Sequence, residues 1–190
     1  MKKFFCIILA LSMMLGFAAC GGTTTYIPGP LEEIAAQIYT NTTTIEMSLA
    51  DPMEIDLTNS DTVNYYLGVS SADSIERAVF SEPMIGSIAY SMCLVKAKEG
   101  ADVEALKNEI LEGINYRKWL CVAAEKVAVV NCGDTVMMVM AQEEIVDDVC
   151  NSFASVAAVV GATASEPITK AGEAQNDAQA DGAEGGIVLG

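Results

Sequence analysis

Apolar positions along the chain fall into blocks of two different periods. Leu31, Ile34, Ala35 and Ile38 recur at helical spacing behind Pro30, and Glu32 and Glu33 suit a helix start. From Tyr39 to Ser74 the pattern weakens. Thr42-Thr43-Thr44, Asp51-Pro52 and Asn59-Ser60-Asp61 interrupt Ile45 to Leu49 and Val63 to Leu67, which predicts loop with one or two short helical turns. Ile75 to Phe80 and Ser87 to Lys96 are strand-like runs joined through residues 81–86. Asp102 then caps a helix whose stripe is Val103, Leu106, Ile110 and Ile114, running on toward Trp119. Val127 to Val130 and Thr135 to Ala141 flank the turn Asn131-Cys132-Gly133-Asp134 and predict a hairpin. Glu143 and Glu144 open a last helix with Ile145, Val149, Phe153 and Val156 on one side, the acidic pair suiting the positive end of its dipole.

The resulting order, α then ββαββα, predicts an α+β fold over residues 31–160: two layers, an antiparallel sheet with helices on one face. The second hairpin is apolar on both parities, with Val136, Met138 and Met140 on one face and Met137, Val139 and Ala141 on the other. A sheet with one solvated face would be polar there, so something covers it. The N-terminal helix with the irregular segment up to Ser74 can do so, as can a homodimer or another protein partner. After Gly161 the chain is Ala, Gly, Gln, Asp and Glu with almost no large apolar residue until Ile187, and residues 161–190 are expected to be a disordered acidic tail.

Ahead of the domain, Lys2 and Lys3 precede an apolar run from Phe4 to Phe17 and the small residues Ala18 and Ala19. The run is about 14 residues, short of a membrane span, and predicts an export signal over residues 1–19. Phe17-Ala18-Ala19-Cys20-Gly21 resembles the lipobox of bacterial lipoproteins, with Phe17 where Leu is usual. The resemblance implies diacylglycerol on Cys20, cleavage just before it, and a protein on the outer side of the cell membrane. An ordinary secreted protein cut after Ala18 or Ala19 would instead keep Cys20 as a thiol. Residues 20–30, with Thr23-Thr24-Thr25 and two prolines, form a tether.

Charge narrows the function. Asp and Glu outnumber Lys and Arg 26 to 10, for a formal charge of −16, and there is no histidine. Loss of Lys2 and Lys3 with the signal takes it to −18. Histidine-dependent nucleophile activation, His-ligated metals and nucleic-acid binding are all disfavoured. Four domain cysteines, Cys93, Cys121, Cys132 and Cys150, fit buried thiols or, in an exported chain, disulfides; no Cys-x-x-Cys occurs. Asp177 to Gly182 faintly copies the start of an EF-hand loop, but Val188 stands where a bidentate Glu is needed. No cofactor or metal site and no catalytic residue is expected. A binding or assembly module is the leading reading. An envelope enzyme or enzyme accessory using paired carboxylates is the second, and thiol-based redox or soft-metal sensing the third.

The most individual stretch is Asn115-Tyr116-Arg117-Lys118-Trp119-Leu120-Cys121-Val122-Ala123-Ala124-Glu125-Lys126-Val127, followed by the Gly133-Asp134 turn and an apolar strand. With the lipobox, it resembles a family of uncharacterised lipoproteins of Gram-positive, mostly anaerobic bacteria, over roughly residues 31–156. The resemblance implies a membrane-anchored extracytoplasmic domain and supplies no functional residues. From the residues alone, Trp119 is expected as a core anchor, and Arg117 and Lys118 as internal ion-pair partners or contacts to an acidic ligand.

Overall fold

The computed structural model describes residues 26–85 and 87–172. The signal segment, Cys20, most of the tether and the faint calcium-loop motif lie outside the described residues. The elements are α1 (Leu31–Asn41), β1 (Met53–Glu54), α2 (Ser60–Leu67), β2 (Ile75–Ser81), β3 (Ser91–Ala97), α3 (Val103–Gly113), β4 (Lys126–Cys132), β5 (Thr135–Ala141), α4 (Glu143–Val159) and β6 (Ile168–Ala171). All strands join one six-stranded antiparallel sheet in the order β1-β2-β3-β5-β4-β6. The α+β class stands.

The layering differs from expectation, because helices cover both faces. On one, α1 and α4 bury Ile34, Ile38, Val149 and Phe153 against Met92, Leu94, Met137 and Val139. On the other, α2 and α3 bury Val63, Leu67, Leu106 and Ile110 against Cys93, Val95, Val136 and Met138. The cause is topological. Strands β3 and β4 are parallel with β5 between them, and β5 and β6 are parallel with β4 between them. The crossovers through α3 and α4 step the same way across the sheet but leave from antiparallel strands. Two crossovers of one hand must then put their helices on opposite faces. Each apolar parity of the β4–β5 hairpin thus has its own helical cover.

Local chemistry sets the ends. The Asp102 carboxylate accepts the Ala105 N–H at 3.0 Å to start α3, and Asn59 caps α2 by accepting from Asp61 and Thr62. Gly133, at φ 59, turns β4 into β5 across a two-residue loop. A bulge between Ile75 and Arg77 lets Ile75 share a core with Ala78 and Phe80 despite the odd spacing.

The domain also extends further than expected. Residues 162–172 are part of it: Ala162 is buried, Ser165 N–H bonds the Asn131 carbonyl at 2.7 Å, and β6 pairs with β4 from Val129 to Lys126. The expected disordered tail therefore cannot begin at 161, and residues 173–190 lie outside the described residues. Helix α3 stops at Gly113 rather than running toward Trp119. It stops where α2 also ends: a Cβ on Gly113 would lie 2.0 Å from the Gly68 carbonyl oxygen, and Gly68, at φ 71, is the left-handed cap of α2.

Candidate functional site

The loop from Asn115 to Ala124 folds back over the α2–α3 side of the sheet, pinned by the Ala124 N–H on the Tyr116 carbonyl at 2.9 Å. Asn115 opens it with a side-chain turn, its Oδ1 accepting the Arg117 N–H at 3.0 Å. This geometry drives the Lys118 side chain inward until it is 1% exposed. There the ammonium meets Glu82 Oε1 at 2.5 Å, from the loop after β2, and donates to Ser91 Oγ at 3.2 Å, at the start of β3. The carboxylate's approach is a charge contact rather than a well-angled hydrogen bond.

Aromatic rings complete the enclosure. The ammonium lies 4.6 Å from the Tyr65 ring centre, 4.9 Å from Tyr66 and 5.5 Å from Trp119. Tyr66 stacks on Phe80 and meets Tyr65 edge to face, so α2 is fixed against the sheet by the same rings. Burial, helped by the Glu82 charge, pushes the Tyr66 hydroxyl up to about 12 and raises Tyr65 as well. Both phenols stay protonated at neutral pH. Of the two sequence alternatives for Lys118, the structure shows the internal ion pair. Trp119 is half-buried in the loop, packed against the α2–α3 core rather than at the end of a helix stripe.

Above this floor opens a cleft of about 330 Å³ lined by Asp61, Asn64, Tyr65, Asn115 and Lys118. A second cleft of about 270 Å³ lies where Met47, Ile88, Val122 and Ile145 meet, with Glu125 as its charged residue. In a third, Glu125 and Glu143 stand around Lys126, whose ammonium pairs with Glu143 at 3.2 Å and Asp147 at 2.7 Å.

The cysteines do not gather. Cys93 is buried beneath α2 and donates to the Tyr66 carbonyl at 3.4 Å; Cys132 and Cys150 are buried on the α1–α4 face; Cys121 is exposed at φ 65. Burial pushes the Cys93 and Cys150 thiols up to about 12 and raises Cys132, so all three are held as neutral thiols. Among the described residues no group of His, Cys, Asp and Glu is placed to hold a metal ion, and no helix is long and apolar enough to cross a membrane.

Sequence reasoning singled out Lys118 and Trp119 but missed Tyr65, Tyr66 and Glu82. The usable signal was the Tyr65-Tyr66 pair lying off the Val63–Leu67 stripe of a short helix. Comparison of the chain with known protein families, with curated proteins and with solved structures finds no match. The lipoprotein resemblance therefore rests on its own residues.

Proposed function

We propose that the chain is a membrane-anchored extracytoplasmic lipoprotein, held by diacylglycerol on Cys20, whose domain is a binding module without catalysis and whose binding site is the Lys118 cleft. The observation that supports this reading is that Tyr26 and the cleft lie at opposite ends of β3. Tyr26, the first described residue, sits 5.4 Å from Lys96 near the end of that strand, whereas Lys118 bonds Ser91 at its start. From Cys20 to Tyr26 the chain reaches at most about 20 Å. A lipid on Cys20 would keep the Tyr26 end near the bilayer and leave the cleft free to meet the envelope.

The cleft suits recognition better than chemistry. A buried ion pair adds little net stability, so an enclosed Lys118–Glu82 pair under an open cleft is more than the fold requires. Among the described residues that line it, Asp61 is the one carboxylate, and acid/base cleavage would call for two.

The test is fractionation of the native host or a Gram-positive surrogate, with mass spectrometry of the N-terminal peptide. The wild-type chain is expected in the membrane fraction with a diacylated Cys20, and Cys20→Ser in the medium or retained with an uncut signal. A Cys20 peptide without lipid would overturn the anchoring. Crosslinked capture of envelope components, lost on altering the Lys118 cleft, is the expected sign of binding there.

A further inference from the structure

We propose that the cleft between α2 and the loop after α3 takes a neutral, hydroxyl-rich ligand: the end of a glycan chain, seated against Tyr65. This deepens the binding-module reading and rests on its choice of cleft. At about 330 Å³ the space suits a ligand of one or two sugar rings.

The charge of the cleft selects against anions. Among the described residues that line it, Lys118 is the cation, and that ammonium is sealed beneath by Glu82, Ser91 and three aromatic rings at 1% side-chain exposure. An anionic ligand would meet the Asp61 carboxylate and a chain of formal charge −16. What remains accessible both accepts and donates. Asp61 can accept from a pair of neighbouring hydroxyls. Asn64 carries both functions. Asn115, whose Oδ1 is occupied by the Arg117 N–H, keeps its amide N–H groups for a ligand oxygen. Tyr65 is 45% exposed and braced edge-on by Tyr66, so it offers a rigid, partly apolar surface to the C–H side of a sugar ring without losing side-chain freedom on binding.

Trp119 is the chain's only tryptophan and lies 5.5 Å from the Lys118 ammonium, so its fluorescence reports on this site. The mature chain in detergent micelles would be titrated with chitotriose peracetylated on nitrogen and with maltotriose as neutral probes, trigalacturonate as the anionic probe and spermidine as the cationic one. At least one neutral trisaccharide is expected to give a saturable change in Trp119 emission. Tyr65→Ala and Asp61→Asn are each expected to weaken it at least about tenfold. Asp61→Asn preserves shape at an exposed position, so its result stands even if Tyr65→Ala fails to fold. The proposal is overturned if neither neutral sugar binds, if both variants bind like wild type, or if trigalacturonate or spermidine binds more tightly. A failed titration beside a lipidated Cys20 and cleft-dependent capture would remove the glycan and leave the anchored module standing.

Discussion

Removing the Lys118 ammonium would strand Glu82, a carboxylate only 19% exposed, without its counter-charge. Breaking a buried pair from one side is expensive, while replacing both partners can be nearly neutral. Lys118→Met is therefore expected to cost about 3 kcal/mol, at the low end of the buried range because Glu82 retains some water. Adding Glu82→Gln should recover most of that loss. Urea unfolding of the two single variants and the double reads this directly. Near-additive losses would mean that the two charges do not depend on each other and that the site is held by its rings alone. The scarcity of cations makes Lys118 conspicuous in the sequence. Its surroundings are not visible there, because Tyr65, Glu82 and Ser91 come from three segments joined only by the sheet.

Helix α1 is fastened at both ends by carboxylates. At its start Glu32 forms a two-pronged pair with Arg77 of β2, which also reaches Glu54 of β1. Just past its end Asp148 of α4 accepts the N–H and hydroxyl of both Thr43 and Thr44, at 2.7–3.1 Å. The hydrogen bond from Arg77 holds Glu32 below the usual carboxylate range. For Asp148 desolvation pushes upward, but the four threonine hydrogen bonds together outweigh it and the carboxyl titrates low. A carboxyl lowered in the folded state contributes stability above its unfolded value of about 4, and that contribution is lost as pH falls through the lowered folded value. Acid should therefore loosen α1. Asp148→Asn keeps an acceptor but cannot titrate, so its urea midpoint should fall less than wild type's between about pH 5 and about pH 3. Equal falls would take Asp148 out of the acid response. The existence of α1 was legible from Leu31, Ile34, Ala35 and Ile38, as α3 and α4 were from their own stripes. A stripe says that a helix has a core side and not which sheet face it meets. The strand order decides that, and it places β5 between β3 and β4, a choice that no local pattern in either hairpin encodes.

At the scale of the whole molecule, β6 covers the edge of β4. Residues 168–171 carry a single large apolar side chain, Ile168, so neither period nor hydropathy marks them as a strand. Their stability comes from the backbone ladder to β4 and from Ser165 ahead of them. The Ser165 hydroxyl accepts from the Asn131 N–H at 3.1 Å and from the ammonium of Lys107 at 3.1 Å. Lys107 is itself 2% exposed, on α3, with Glu104 as its counter-charge. One segment thus ties β4, α3 and the Asn131 turn together. A chain ending at Gly161 loses the β4–β6 ladder, the burial of Ala162 and one of the polar partners of a buried lysine. Compared with a chain ending at Gly172, it is expected to be less stable by about 3 kcal/mol or more, from lost hydrogen bonds and the lysine's lost partner. Its bared β4 edge should also favour self-association. Lys107→Met made in both chains tests the link: if Ser165 matters through Lys107, the stability gap between the two lengths narrows. An unchanged gap would mean that β6 acts through its backbone ladder alone, closing the sheet as a strand rather than as a strap across α3.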